Sequence, residues 1–567
     1  MKKLLTIIMI LAFASSAMPQ TWGAKYRVQF TDKNNSPYSI SNPSAFLTQR
    51  AIDRRTNQGI AIDETDIPVN QAYVDSLIDL GAQIFNVSRW FNTATIFLSD
   101  TNLVDDIEAL SFVSSVSTTR PYFQLRIKRP RDGGGNSYNG DITPVSSGIK
   151  KVNSYNQSEK RTLYSYGDGF NQANMIGVDY LHGLGYNGSG MVIAVLDAGF
   201  YHVNTLQMFD SLRTSGRLLG VKDFVTPGND VYQESTHGMS VLSTMAGNVP
   251  GLLVGTAPGA SYWLLRSEDA GSEYIVEEDN WIAAAEYADS VGADVINSSL
   301  GYTDYDDPSQ SYTYADMDGN TTRVTRGADM AAAKGILVVN SAGNSGNSWW
   351  RYIGAPADAD SILTIGAVNS MGIIASFSSL GPSYDGRVKP TVCAQGEGTY
   401  VVSSADGVYP GNGTSFSSPV MAGAVTCLWQ ANPTFSNMEV IDAIKRSASH
   451  YTIPDSLYGY GIPNMAVAHM VLSGQELPGS EEEYFLMANP NPFTEEIDII
   501  LYANTRGTAV LQLLDQNGKK VWQKKDFEFI PGYNYYLMNE VSSFSNGVYV
   551  LNCFSDNFKL TQKLIKQ

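Results

Sequence analysis

The 567-residue chain is 43% hydrophobic and only 17% charged, the composition of a globular protein too long for one core, so several domains are expected. Its 38 Lys and Arg against 56 Asp and Glu give a formal net charge of −18, which argues against a nucleic-acid partner, because phosphate binding needs clustered basic side chains. Three cysteines, Cys393, Cys427 and Cys553, are too few for a disulfide framework, and the lack of Cys-x-x-Cys and His-Glu-x-x-His spacings disfavours a catalytic zinc.

The chain opens with Lys2-Lys3, a short apolar run from Leu4 to Phe13 and the small residues Ala14-Ser-Ser-Ala17. That is the pattern of a secretory signal peptide, with cleavage expected between Ala17 and Ala24 and the segment assigned to residues 1–24. The run is too short for a comfortable membrane span, and no other long apolar segment follows. Residues 25–123 alternate strand-like and helix-like patterns: strands over 25–30, 83–87, 93–98 and 113–116, helices near 71–80 and 103–110. The β-α-β-β-α-β order predicts a small ferredoxin-like α+β domain. Residues 124–171, with Arg126-Ile-Lys-Arg-Pro-Arg131 and Gly133-Gly-Gly135, read as a linker that is easily cut, so maturation cleavage is expected between about Phe123 and Asn171.

From residue 172 to 474, unbroken apolar runs alternate with helical ones such as 281–288 and 328–333. The alternation predicts an α/β domain, a mostly parallel sheet with helices on both faces. The run 191–196 ends in Asp197-Ala-Gly199, which puts a carboxylate at the carboxyl end of a buried strand, where such sheets place ligands and catalytic groups; an Asp that only starts a turn is the alternative. His237, in Thr236-His-Gly-Met-Ser240, opens an apolar helical run through Gly247. The remaining histidines, His182, His202, His450 and His469, read as surface or structural. Gly413-Thr-Ser-Phe-Ser-Ser-Pro419 sets Ser415 at the start of an apolar helix, where backbone N–H groups are free to meet a developing oxyanion; a simple helix cap is the competing reading.

The chain order Asp197, His237, Ser415 is the one that separates subtilisins from chymotrypsins and α/β-hydrolases. Val195-Leu-Asp-Ala-Gly199, Thr236-His-Gly-Met-Ser240 and Gly413-Thr-Ser-Phe-Ser-Ser-Pro419 together resemble the three catalytic segments of the subtilase serine peptidases, over about Met175 to Leu472. The resemblance implies a subtilisin-like fold and a secreted serine endopeptidase acting on protein or peptide substrates through an acyl-enzyme, with no cofactor required and structural calcium as an option. Gly335-Ile-Leu-Val-Val-Asn-Ser-Ala-Gly-Asn344 resembles the strand that ends in the family's oxyanion-hole asparagine, which assigns that role to Asn344. Ala293-Asp-Val-Ile-Asn-Ser-Ser-Leu-Gly301 resembles the segment whose backbone pairs with substrate, at Ser299, Leu300 and Gly301, and Gly354 matches the floor of the primary specificity pocket. A glycine floor and no acidic residue in these motifs imply a preference for a large apolar side chain before the scissile bond. One departure stands out: the family has Ser or Thr after the catalytic Asp, where this chain has Ala198.

By the same resemblance, residues 25–123 are expected to be an inhibitory propeptide that assists folding; an accessory domain that stays attached is the alternative. Tyr302–Thr322 is rich in tyrosine and aspartate, and Asp316-Met-Asp-Gly-Asn320 echoes a calcium loop, although Gly327 stands where the bidentate glutamate belongs. A Cys393–Cys427 bridge is one option, buried thiols the other. After a short linker, 475–483, the chain changes character: short strands split by turns predict a small β-sandwich over 484–567. Ala488-Asn-Pro-Asn-Pro-Phe493, the Asp515-Gln-Asn-Gly-Lys519 turn, Ser545-Asn-Gly-Val-Tyr549 and the Lys-rich end resemble the C-terminal sorting domain of the type IX secretion pathway of Bacteroidetes, which implies the type IX machinery as a partner and release or surface attachment after export through the periplasm. A surface-binding β-module is the alternative for that domain. For the whole chain the rivals are a catalytically silent surface protein on a subtilase scaffold and an esterase, the latter disfavoured because Gly-x-Ser-x-Gly with a final histidine is absent.

Overall fold

The computed structural model describes residues 21–125, 164–474 and 484–567, apart from 490, 495, 530, 531 and 539. The signal-peptide run and the basic, glycine-rich linker lie outside the described residues.

The first unit runs β1 (Thr21–Phe30), α1 (Gln49–Asn57), α2 (Gln71–Asp79), β2 (Gln83–Ser88), β3 (Thr93–Leu98), α3 (Leu103–Glu108), β4 (Val113–Leu125). Its antiparallel sheet has the order β2-β3-β1-β4, the ferredoxin-like arrangement, and its core gathers Val28, Phe30, Leu77, Ile96, Leu98 and Ile107. Two details differ from the sequence reading. The strands β1 and β4 are longer, because Thr21–Gly23 pairs with Phe123–Leu125, so the sheet crosses both expected boundaries of 25 and 123. Helix α1 was not foreseen, and its buried face is made of Ala51, Arg54 and Arg55.

The central unit begins with α4 (Phe170–Asn174) and α5 (Val178–Gly183). Its sheet uses β5 (Val192–Asp197), β6 (Leu218–Asp223), β9 (Ser261–Arg266), β10 (Val295–Ser298), β11 (Leu337–Ser341), β12 (Leu363–Val368) and β13 (Val392–Gln395), in the order β13-β12-β11-β10-β5-β9-β6. The small hairpin β7 (Asn248–Val249) and β8 (Leu253–Val254) and the hairpin β14 (Glu397–Val402) and β15 (Val408–Asn412) stand apart from it. All seven strands pair in parallel, which explains why β5, β10, β11, β12 and β13 are buried along their whole length. One face is covered by α7 (His237–Ala246), α10 (Thr414–Ala431), α11 (Asn437–Arg446) and α12 (Met465–Leu472), the short α6 (Asp210–Thr214) lying near α7; the other is covered by α8 (Val276–Ser290) and α9 (Arg323–Ala333). Strand order reverses between β5 and β10, which opens a crevice at their carboxyl ends.

Two antiparallel sheets form the last unit: β16 (Tyr484–Asn489), β17 (Ile497–Ala503) and β20 (Gly532–Met538) against β19 (Lys520–Phe529), β18 (Gly507–Asp515), β21 (Gly547–Phe554) and β22 (Lys559–Lys566). They enclose one core, with Ala509, Leu511 and Leu513 alternating inward along β18. Strand β17 is buried on both faces, since Ile500 joins Met487 against Val467 and Met470 of α12. No helix among the described residues is long and apolar enough to cross a membrane.

Candidate active site

Asp197 and His237 meet at the carboxyl end of β5, and Ser415 meets Ser299 just past the carboxyl end of β10. Asp197, fully buried, closes β5, and its Oδ1 accepts a hydrogen bond from the backbone N–H of Ala198 at 2.7 Å. The His237 Nδ1 lies 2.8 Å from that same Oδ1. Such an approach of α7 to the strand end requires glycine at the next position: a Cβ on Gly238 would lie 2.4 Å from the Gly199 carbonyl oxygen and 2.9 Å from Asp197 Cβ. Burial alone would pull the imidazole pKa down, but the Asp197 charge and hydrogen bond, helped by Glu268, outweigh it and raise the pKa. The second oxygen, Asp197 Oδ2, is buried and has no hydrogen-bond partner among the described residues. That is the oxygen a hydroxyl at position 198 could have served.

Ser415 is the second residue of α10 and half-buried. Gly413, at φ +151° in a backbone region that side chains avoid, turns the β15 strand into this helix. Four residues on, Pro419 has no N–H to give to the Ser415 carbonyl. Ser299 fills the gap, its hydroxyl donating to that carbonyl at 3.0 Å, while Ser415 Oγ lies 3.5 Å from the Ser299 carbonyl oxygen. Ser299 thus holds the serine turn through its side chain, a role that sequence spacing does not reveal because the two residues meet only in the fold. On the other side, the Phe416 ring sits 6.3 Å from the His237 ring, which sets the imidazole beside the start of α10.

Asn344 lies three residues beyond β11 and is exposed. Its Oδ1 accepts from the Thr414 N–H at 2.8 Å and the Thr414 hydroxyl at 2.9 Å, which fixes which way the amide faces. The Asn344 Nδ2 and the Ser415 N then flank one point in space, 3.7 and 3.6 Å from where a Gly413 Cβ would stand. The N–H of Ser415 lies in the first turn of α10, ahead of the helical ladder. Thr414 orients this amide, and no sequence reading had singled it out.

Of the other expected residues, Leu300 is buried and Gly301 exposed, leading into a bridge between Tyr302 and Ala355. A Cβ on Gly354 would press on Thr303 Cγ2 at 2.8 Å, so the backbone at Gly354 packs directly against Tyr302 and Thr303. The remaining histidines are engaged elsewhere: His182 is buried between the Tyr166 hydroxyl and the Thr256 carbonyl, its pKa pushed down to about 4 by burial, and His469 meets Asn432. Cys393 and Cys427 stay separate buried thiols, the second against the Thr256 carbonyl. In the 302–322 loop, Asp316 caps a turn at Thr313, and Asp318 accepts from Asn320, Thr321 and the Thr321 hydroxyl.

Residues 188–461 match the model of the subtilase family. Subtilisin NAT of Bacillus subtilis subsp. natto and subtilisin E of Bacillus subtilis (strain 168) are each 34% identical over 296 residues, which span 51% of this chain and 68% of theirs. The subtilisin of Bacillus pumilus is 33% identical over 296 residues, 51% of this chain and 94% of that one. The chain belongs to the subtilase family. It is a subtilisin-like serine endopeptidase, and its flanks carry two further family matches: residues 25–132 to the Bacteroidota propeptide domain of peptidase S8, and residues 488–567 to the secretion system C-terminal sorting domain.

In this subtilase the propeptide domain lies on α8 and α9. Asp289, fully buried near the end of α8, receives Arg54, Arg55 and Arg89. Glu286 accepts from the Ser88 hydroxyl and the N–H groups of Arg89 and Trp90, and Asp279 pairs with Arg27. Arginine recurs here because its fixed fork can satisfy a buried carboxylate and carbonyl oxygens at once; Arg54 also reaches the carbonyls of Ala293 and Lys334.

Proposed function

We propose that this subtilase hydrolyses peptide bonds with Ser415 as nucleophile, His237 as general base and acid, Asp197 as the group that orients His237, and Asn344 with the Ser415 N–H as the oxyanion donors. The observation that carries the reading is the 2.8 Å contact of His237 Nδ1 with a buried Asp197, which assigns proton transfer to the other ring nitrogen, Nε2. Ser415 Oγ attacks the scissile carbonyl as its proton passes to His237 Nε2. The carbonyl oxygen, now negative, is held by Asn344 Nδ2 and the Ser415 N–H. His237 returns the proton to the departing amine, which leaves an acyl-enzyme on Ser415. Water, deprotonated by the same imidazole, releases the acid.

Asn344→Ala should lower kcat by about 10²–10³-fold with little change in KM, because the amide acts on charge that develops only in the transition state. Steady-state kinetics on a peptide anilide measure it, and a drop under tenfold would remove Asn344 from the oxyanion hole. Ala198→Ser should do the opposite in a small way. A hydroxyl given to Asp197 Oδ2 contributes about 1 kcal/mol, so kcat/KM should rise about fivefold. An unchanged kcat/KM would mean that Oδ2 is already satisfied.

Glycine at 354 leaves the primary pocket deep, so cleavage should be fastest after Phe, Tyr, Leu or Met, each worth about 1.5–3 kcal/mol when buried. A peptide library read by mass spectrometry, run beside short-chain esters, checks the substrate class and this preference together. Cleavage confined to Arg or Lys would refute the pocket assignment; hydrolysis of esters alone would refute the peptidase reading. The propeptide domain acts as inhibitor and folding aid, and the sorting domain directs export through the type IX machinery to the exterior or the cell surface. Deletion of 484–567 should hold the enzyme in the periplasm while leaving its peptidase chemistry in place, since the proposed catalytic residues all lie between 172 and 474.

A further inference from the structure

Helix α1 stands outside the ferredoxin-like pattern of the first unit, in the long connection between β1 and α2, and the contacts of that connection converge on one place. The Thr48 N–H donates to the Ser290 carbonyl at 2.9 Å, and Arg50 donates through Nε to the Gly292 carbonyl and through Nη2 to the Gly190 carbonyl, each at 2.9 Å. Arg54 gives to the carbonyls of Ala293 and Lys334. The Gln58 amide donates to the Gly335 carbonyl at 2.8 Å, while its oxygen accepts from the Asn437 N–H at 3.0 Å. In return Lys334 Nζ reaches Asp63 at 3.0 Å, the Thr65 hydroxyl at 2.7 Å and Asp66 at 3.1 Å. Two glycines admit the close approach: a Cβ on Gly292 would lie 2.7 Å from Arg50 Cβ, and one on Gly335 2.8 Å from Gln58 Nε2.

All of these carbonyls except that of Gly190 belong to the ends of α8 and α9 or to the turns that follow them. A helix leaves its last carbonyls without intrahelical partners and carries the negative end of its dipole there, so arginine and amide donors suit such ends. The strands fix the location. Gly190, Ala293 and Gly335 stand two residues ahead of β5, β10 and β11, so α1 sits below the amino ends of the sheet. Asp197 closes β5 at its carboxyl end, about 20 Å away for a six-residue strand. On that upper side the domain has a different contact, where Arg120 of β4 pairs at 3.0 Å with Asp269, three residues past β9. The propeptide domain therefore grips the catalytic unit at two separated places, and none of the residues held by α1 and its flanks belongs to the proposed catalytic or substrate-binding set.

We propose that residues 43–67 are an anchoring arm, a second binding element that caps α8 and α9 from outside and holds the propeptide domain on the enzyme after the linker is cut, independently of the grip near the crevice. Binding and inhibition are then separable properties of one domain, which builds on the inhibitor role proposed above. Loosening the upper end frees the crevice and leaves the domain attached; loosening the arm lets the domain leave.

The test uses the full chain carrying Ser415→Ala, cut by trypsin in the linker between Arg126 and Arg161, with the cut located by mass spectrometry and the two pieces followed by sizing chromatography over a dilution series. Because trypsin makes the cut, the column reads the anchor even if the proposed triad fails, and hydrolysis of a small peptide by chains that keep Ser415 reads inhibition separately. The pieces of the parent should stay together. The Arg50→Ala, Gln58→Ala double variant should raise the dissociation constant at least about tenfold, Arg120→Ala should raise it less, and the two losses should multiply when combined, as they do for contacts this far apart. In chains that keep Ser415, the arm variant should become active sooner after processing and reach the parental rate. Arg50 has 41% of its side chain exposed, so the double variant should fold; Gln58→Ala alone, with a loss of about threefold, gives the same reading if it does not. Arm variants that hold the domain as tightly as the parent would overturn the proposal. So would release by Arg120→Ala as complete as release by the arm variant, or losses that fail to multiply.

Discussion

Ser415→Ala should reduce casein hydrolysis by the processed enzyme about 10⁶-fold, the loss known for the corresponding serine of subtilisin, to which this chain is related. The size follows from the proposed roles. Without Oγ there is no acyl-enzyme, and His237 and Asp197 have no nucleophile to activate. What remains is water attack assisted by the Asn344 amide and by substrate binding, a residual of about 10³–10⁴ over solution. Folding should survive, because Ser415 Oγ approaches the Ser299 carbonyl at a long 3.5 Å, while the carbonyl of Ser415 keeps its bond from Ser299. A variant that retained a tenth of parental activity would place the nucleophile elsewhere.

The second large effect is expected at the propeptide interface. Asp289→Ala should weaken inhibition of the processed enzyme by added residues 21–125 by about 10²–10³-fold, since removing one partner of a buried charge cluster costs about 3–5 kcal/mol. Three guanidinium groups would then face one another on the buried surface with the central anion gone. Burial raises the Asp289 pKa, but Arg89, Arg54 and Arg55 together outweigh it and hold the carboxyl below its ordinary range. The sign matters for pH: a depressed carboxyl stays charged above its ordinary range, and its contribution is lost only as pH falls through the depressed value. Mild acid should not release the propeptide domain through Asp289. Inhibition constants for parent and variant at pH 7.5 test the point, with hydrolysis of a small peptide as the control for the free enzyme; a change of less than threefold would contradict it.

The catalytic sheet was legible because strands covered on both faces must be apolar throughout, and β5, β11 and β12 are continuous runs of that kind. Asp197 ends such a strand, Asn344 follows another at a glycine turn, and His237 and Ser415 stand at the starts of apolar helices, which is why these four could be picked out as candidates. Helix α1 was not, since its buried residues are Arg54 and Arg55 docked on another domain rather than an apolar stripe. In the 302–322 loop, Asp316 and Asp318 follow the spacing of a metal loop, and the fold uses both to cap turns. The bond from Ser299 to the Ser415 carbonyl crosses 116 positions and exists only because Pro419 leaves that carbonyl free.

The most direct test of the proposed triad is covalent. Processed enzyme treated with a fluorophosphonate probe, digested and read by tandem mass spectrometry should carry one adduct, on Ser415, with labelling lost in His237→Ala and in Ser415→Ala. An adduct on any other serine, or full activity in enzyme that takes no label, would contradict the assignment.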